Sequence, residues 1–273
     1  MMAAEQSMRH LLEPLDAQIA EFAQKDSPLG YFAVVYRLAN QHVVDALAEG
    51  AFDAPDQVAA FMTGFCKTYV GLMGQVPAEQ LPKPWQVCMR AAKRDRISIQ
   101  QHIALSLNAR VNFDLPIVLA ATFSAQEIVG FRADFAQVNH ILFSTFKRIH
   151  DQVGDIQRGR GHTFQLPVRQ ATNILHRPML QVLGHLFQLQ RRFAYQNAVD
   201  LAQLDDEAKQ KRIRGLEKWV RKISRNICTP DPVSHMFFRQ MKAAEIGTTG
   251  QKIAELDNIN ARTTPLVSNA PSN

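Results

Sequence analysis

The side chains best suited to chemistry lie in one apolar run, Gln100–Ala121 (QQHIALSLNARVNFDLPIVLAA), which carries His102, Asn108, Arg110, Asn112 and Asp114. Asn108 and Asn112 are four residues apart and share a helix face with Leu105 and Leu115. Arg110 and Asp114 repeat that spacing as a pair of opposite charge. Polar side chains on a buried helix must find hydrogen-bond partners, so this helix is expected at the centre of the fold with its polar groups in a network. Two readings of that network stand side by side. As a pocket wall, Asp114 serves as general base or metal ligand and His102 as its acid/base partner. Asn108 and Asn112 then orient the ligand, and Arg110 clamps an anion. As a scaffold, the same groups fix helix register, and Arg110 with Asp114 is an ion pair one turn apart.

A second helical pattern, Phe131–His150, has its apolar stripe at Phe131, Phe135, Val138, Leu142 and Ile149. Asn139 falls inside that stripe and Asp134 at its border, so both join the expected polar cluster. His140 and His150 are ten residues apart, and His176 and His185 nine, spacings that set neither pair at one metal. The chain contains no HExxH, GxSxG or P-loop motif. The QRGRGH segment, Gln157–His162, could wrap a phosphate but reads first as a solvated loop. In the basic helix Lys209–Arg225, cations alternate with Leu216, Trp219, Val220 and Ile223, a solvated face opposite a core face. No aromatic residue is interleaved on the basic side, which argues against a nucleic-acid partner.

The run His102-x5-Asn108-Ala-x-x-Asn112-x-Asp114-Leu115 resembles the signature of an uncharacterised, mostly bacterial helical family known only as a domain of unknown function. YFAVVYRLANQHVVDAL, AFDAP, PKPWQV and DFAQVNHIL support the likeness, which covers roughly Asp26–His150. In that family the signature commonly has His at the position of Arg110, giving a His-x3-Asp step reminiscent of the zinc-dependent phospholipase C and single-strand nuclease fold. Arg is cationic and cannot ligate a metal. His102 and Asp114 remain as candidate ligands, but they are twelve residues and about 120° apart in helical phase. Metal and cofactor are therefore left open.

The elements that must position these groups are all helical. Leu12, Leu15, Ile19 and Phe22 mark a first helix over Leu11–Gln24. Asp26-Ser27-Pro28 starts a second, to about Glu49, and Asp53-Ala54-Pro55 a third. After a proline-rich loop, Trp85–Asn112 reads as one long pattern with a possible break in its charged middle. Asp114-Leu115-Pro116 should end or kink it. Ile117–Phe123 continues as a buried helix, Ser124–Gly130 is a turn, and Asp151–Leu166 is a glycine-rich basic loop. Helices follow at Val168–Leu204, kinked at Pro178, at Asp205–Asn226, and at Ser234–Ala244. The expectation is an all-α, single-domain bundle of about nine helices over residues 1–246, with a flexible tail over 247–273.

With 46% hydrophobic and 21% charged residues, the 273-residue chain has an ordinary globular composition. A net charge of +6 and a pI near 9.4 allow an anionic partner, though solubility alone accounts for that excess. The N-terminus lacks a signal-peptide pattern, and no stretch reaches about 18 uncharged apolar residues; Val111–Gly130 comes nearest. Three scattered cysteines without a CxxC suit a reducing cytoplasm. The sequence thus points to a soluble helical protein with a buried polar pocket for an unspecified small molecule. It is either a metal-assisted or acid/base hydrolase, or a non-catalytic ligand- or partner-binding module.

Overall fold

Hydrophobic periodicity sets the helices, and prolines and serines set many of their ends. The computed structural model describes residues 9–158 and 190–261. Among them are eleven α-helices and a π-helical turn, with no strand. Helix α1 (Leu12–Gln24) buries the predicted Leu12, Leu15, Ile19 and Phe22. Helix α2 (Leu29–Ala48) is apolar nearly all round, with 16 of its 20 residues buried. Such a helix belongs at the centre, and α2 packs on α1, on α5 (Ile99–Ala109), on α8 (Arg132–Arg158) and on α11 (Thr249–Ala261).

Helix α3 (Pro55–Gln75) opens with proline in its first turn, as predicted. Its cap, however, comes from across the fold: the Asp134 carboxylate on α8 accepts hydrogen bonds from Asp53 N and Ala54 N, both 2.8 Å. Helix α4 (Lys83–Ala92) buries Trp85. That ring joins Phe32, Tyr36, Phe65 and Tyr69 in an aromatic cluster with centroids 4.8–6.3 Å apart.

The pattern over 85–112 breaks between α4 and α5 because Ser98 begins a new helix with a capping box to Gln101. At Asp114-Leu115-Pro116, where an end or a kink is expected, the helix does not end. The rod runs on through a π-turn (Arg110–Asp114) into α6 (Leu115–Thr122). In a regular α-helix the proline ring would press on the carbonyl of Asn112, and the wider turn relieves that contact. The whole rod, Ile99–Thr122, is long and apolar enough by length and composition to cross a bilayer, although it carries the charged Arg110 and Asp114. Its apolar window is 78% buried among the other helices, which identifies it as the core helix.

The segment read as a turn at 124–130 is instead α7 (Ala125–Gly130), nucleated by a Ser124–Glu127 capping box. Helix α8 extends to Arg158, past the predicted end at 150. The rest of the glycine-rich loop, Pro178, His176 and His185 lie outside the described residues. A helical stretch over 190–203 leads to α9 (Asp206–Cys228) and α10 (Pro232–Ala243).

The segment expected as a flexible tail from 247 is corrected over its first half. Helix α11 buries Ile253 and Leu256 completely. Thr248 and Gln251 form its capping box, and Gly250 N donates to Asp26 Oδ1 at 2.7 Å. Gly30 makes the docking possible, since a Cβ there would collide with Ile253. Residues 262–273 lie outside the described part.

Candidate functional site

The central helix sends its polar side chains to opposite sides. Asn108 and Asn112 face α9: Asn108 Nδ2 donates to Val220 O at 3.0 Å and to Ser224 Oγ at 2.9 Å. Asn112 Nδ2 donates to Asn108 Oδ1 at 2.8 Å. Asn112 Oδ1 is buried without a hydrogen bond. The ladder therefore ties the π-turn to α9, and its members are nearly inaccessible.

Arg110 and Asp114 point the other way, into the aromatic cluster. Arg110 NH1 donates to Asp114 Oδ2 at 2.9 Å, and NH2 donates to Tyr36 OH at 2.8 Å and to Phe65 O. Trp85 Nε1 donates to the same Asp114 oxygen at 3.0 Å. Both charges are almost fully buried, at 1% and 4% exposure. Burial disfavours the Arg110 cation, but Tyr36 and Asp114 outweigh it and hold its pKa above the ordinary value. Burial pushes the Asp114 carboxyl up, against the pull of Arg110 and Trp85. Two N–H donors on one carboxylate oxygen favour its ionised form, so the pair is read as charged.

His102 stands apart from that pair. It is buried beside the Tyr31 ring, centroids 6.1 Å apart. Burial, followed by the charges of Lys242 and Lys252, lowers its pKa to about 3, so the ring is neutral. Asp114 and His102 are not hydrogen-bonded to each other, and Asp114 spends Oδ2 on Arg110 and Trp85. Asp134 is the remote cap of α3. Asn139 lies half-buried on α8, its Oδ1 without a hydrogen bond. The single pocket expected from seven residues resolves into an asparagine ladder, an arginine–aspartate pair, a neutral histidine, a helix cap and a boundary amide. Among the described residues no three His, Cys, Asp or Glu side chains are grouped as a metal site.

A solvent-facing cleft lies elsewhere, at the N-terminus of α5. About 250 Å³ in volume, it is lined by Arg96, Ile97, Gln101, Cys228, His235, Phe238 and Arg239. None of the seven predicted residues lines it. Gln101 shapes one wall: its Oε1 accepts from Ser98 N at 3.1 Å, and its Nε2 donates to Ile227 O at 2.7 Å. That bond fastens the start of α5 to the end of α9. On α10, His235 and Arg239 are one helical turn apart and reach the same space. Burial pushes the Cys228 thiol up, while Arg94, Arg96 and Arg90 pull it down. The balance stays above the ordinary value, so the thiol is protonated at neutral pH. The one sequence signal for this cleft was the arginine-rich stretch 90–96, which reads as ordinary exposed charge.

A family model matches residues 8–230, most of the chain. The chain belongs to the DUF5995 family, a family of unknown function. The match extends on both sides of the resemblance read over residues 26–150. No curated protein and no solved structure matches. In this DUF5995 chain the asparagine ladder and the Arg110–Asp114 pair fall inside the matched region. The α10 wall of the cleft, with His235, Phe238 and Arg239, falls beyond it.

Proposed function

We propose that this chain is a non-catalytic helical module that holds a small anion in the cleft between α5 and α10. The observation that carries this reading is the convergence of Arg96, Arg239 and His235 on one open cavity. Guanidinium groups bind phosphate or carboxylate through paired N–H donors. Ile97 and Phe238 supply an apolar wall. A cavity of about 250 Å³ is slightly below the range typical of drug-sized ligands, which favours a phosphate or a small carboxylate. Cys66 and Cys88, both free and buried, support a further proposal, that the protein works in a reducing compartment such as the cytoplasm.

The hydrolase alternative has weaker support, because Asp114 is engaged by Arg110 and Trp85 while His102 is buried beside Tyr31, without a hydrogen bond to Asp114. Calorimetric titration with inorganic phosphate, pyrophosphate and citrate tests the binding reading. At least one should bind the wild-type protein, and Arg96→Ala/Arg239→Ala should weaken it at least ~10-fold without loss of helicity. Absence of binding, or binding indifferent to the double substitution, overturns the reading. A near-stoichiometric metal in the purified protein, lost in Asp114→Asn, would instead restore the hydrolase.

A further inference from the structure

The outward face of α9 carries five exposed cations in a single row: Lys211, Arg214, Lys218, Lys222 and Arg225. Their steps of three, four, four and three keep them on one side of the helix, over about 21 Å at 1.5 Å per residue. None of the five has an ion-pair partner among the described residues, whereas Arg212, off the row, meets Asp200 at 3.4 Å. Leu216 and Val220 on the opposite side are buried, and α9 packs on α4 and α5. The row is thus a line of like charge without ion pairs, with Glu207 one turn before its first member.

Beside it lies a feature that the sequence reading placed in the core. Trp219 is 37% exposed and packs at a 42° tilt against Phe193, itself 39% exposed, with centroids 4.5 Å apart. Its helical position is about 100° from Val220, at the edge of the buried face rather than within it. A line of cations flanked by an open aromatic pair combines the two requirements of a single-strand site: charge that tracks phosphates and a ring face on which an unpaired base can stack.

We infer that this face binds the backbone of a single-stranded polynucleotide, with a base stacking on Trp219. A duplex keeps its bases paired and gives the aromatic pair nothing to hold. An anionic membrane would meet the cations too, but with Leu216 and Val220 turned into the core only Trp219 and Phe193 could enter it, too little apolar surface to anchor the helix. The surface is separate from the anion cleft and stands or falls without it.

Fluorescence anisotropy with a labelled 15-nucleotide oligo(U) tests the inference on the full chain. Five phosphate contacts at about 0.7 per contact give a slope near −3.5 for log affinity against log salt. That slope corresponds to a roughly 100-fold loss between 50 and 200 mM salt. Lys218→Gln/Lys222→Gln should weaken binding and reduce the slope by about 1.4. Both side chains are exposed, so circular dichroism should be unchanged. The chain has two tryptophans and Trp85 is buried, so oligo(U) should quench the emission of Trp219, and the quench should vanish in Trp219→Phe. Failure to bind at 50 mM salt overturns the inference, as does an unchanged slope in the double variant. Binding to phosphatidylserine vesicles without binding to oligo(U) also overturns it and assigns the face to membranes.

Discussion

The guanidinium carbon of Arg110 sits 3.5 Å from the centre of the Phe65 ring, while the same group holds Asp114 at 2.9 Å. Removing one charge of such a buried pair strands the other, which costs about 3–5 kcal/mol. Asp114→Ala and Arg110→Met should each lower stability by roughly that amount. Arg110→Met/Asp114→Ala should lose less than their sum, with a coupling of about 1–3 kcal/mol. Urea denaturation of the four proteins measures this, and strict additivity would mean that the two charges do not depend on each other.

His102 gives stability a pH dependence of known sign. Its folded pKa is about 3, far below the ordinary value of 6.5. Above pH 6.5 both folded and unfolded states hold it neutral, and it contributes nothing. As pH falls from 6.5 toward 3 the unfolded chain takes up a proton that the folded one refuses, so stability declines. At pH 5 the loss is about 2 kcal/mol. The urea midpoint should fall less steeply between pH 6.5 and 5 in His102→Gln than in the wild type.

Asp134 caps α3 from about 80 residues away. Asp134→Ala removes the acceptor of two backbone N–H groups and should cost about 1–2 kcal/mol. Asp134→Asn, which keeps one oxygen, should cost less. Hydrogen exchange localises the effect: the amides of Asp53 and Ala54 should lose protection first.

Glu245 fastens α11 to the core. Its carboxylate accepts from Ile99 N at 2.7 Å and pairs with Lys242 and Lys252 at 2.9 and 3.1 Å. Glu245→Ala should cost about 2–3 kcal/mol, below the range for a fully buried pair because Lys242 is 31% exposed. Protection of the Thr249–Ala261 amides should fall more than that of α2. Equal loss in both helices would show that α11 unfolds only with the whole protein.

Local spacing made much of this fold readable. The apolar stripes placed α1, α2 and α3 within a residue or two, because helix burial repeats every turn. The same logic found the central helix and both of its four-residue pairs. Interactions between distant segments were not readable in this way. Asp134 looks like a pocket carboxylate until α8 is laid against the start of α3. Arg96, Cys228 and Arg239 share a cleft only because α9 and α10 fold back on α5. Helix α11 was missed for a related reason: its polar composition hides two apolar residues that become buried only once Gly30 leaves room for one of them.

The π-turn sets the phase of the rod. It admits one residue more than a regular α-helical turn, and that residue determines which side of α6 faces inward. Winding these five residues as a regular α-helix, with none removed, would rotate everything beyond them by about 100°. Leu115 and Leu119, now completely buried, would swing off the core even though every residue type in α6 was kept. The winding of these five positions is therefore as constrained as the identity of Arg110 or Asp114, and a one-residue deletion there, which a regular turn absorbs with α6 still in phase, should be more tolerable than a one-residue insertion.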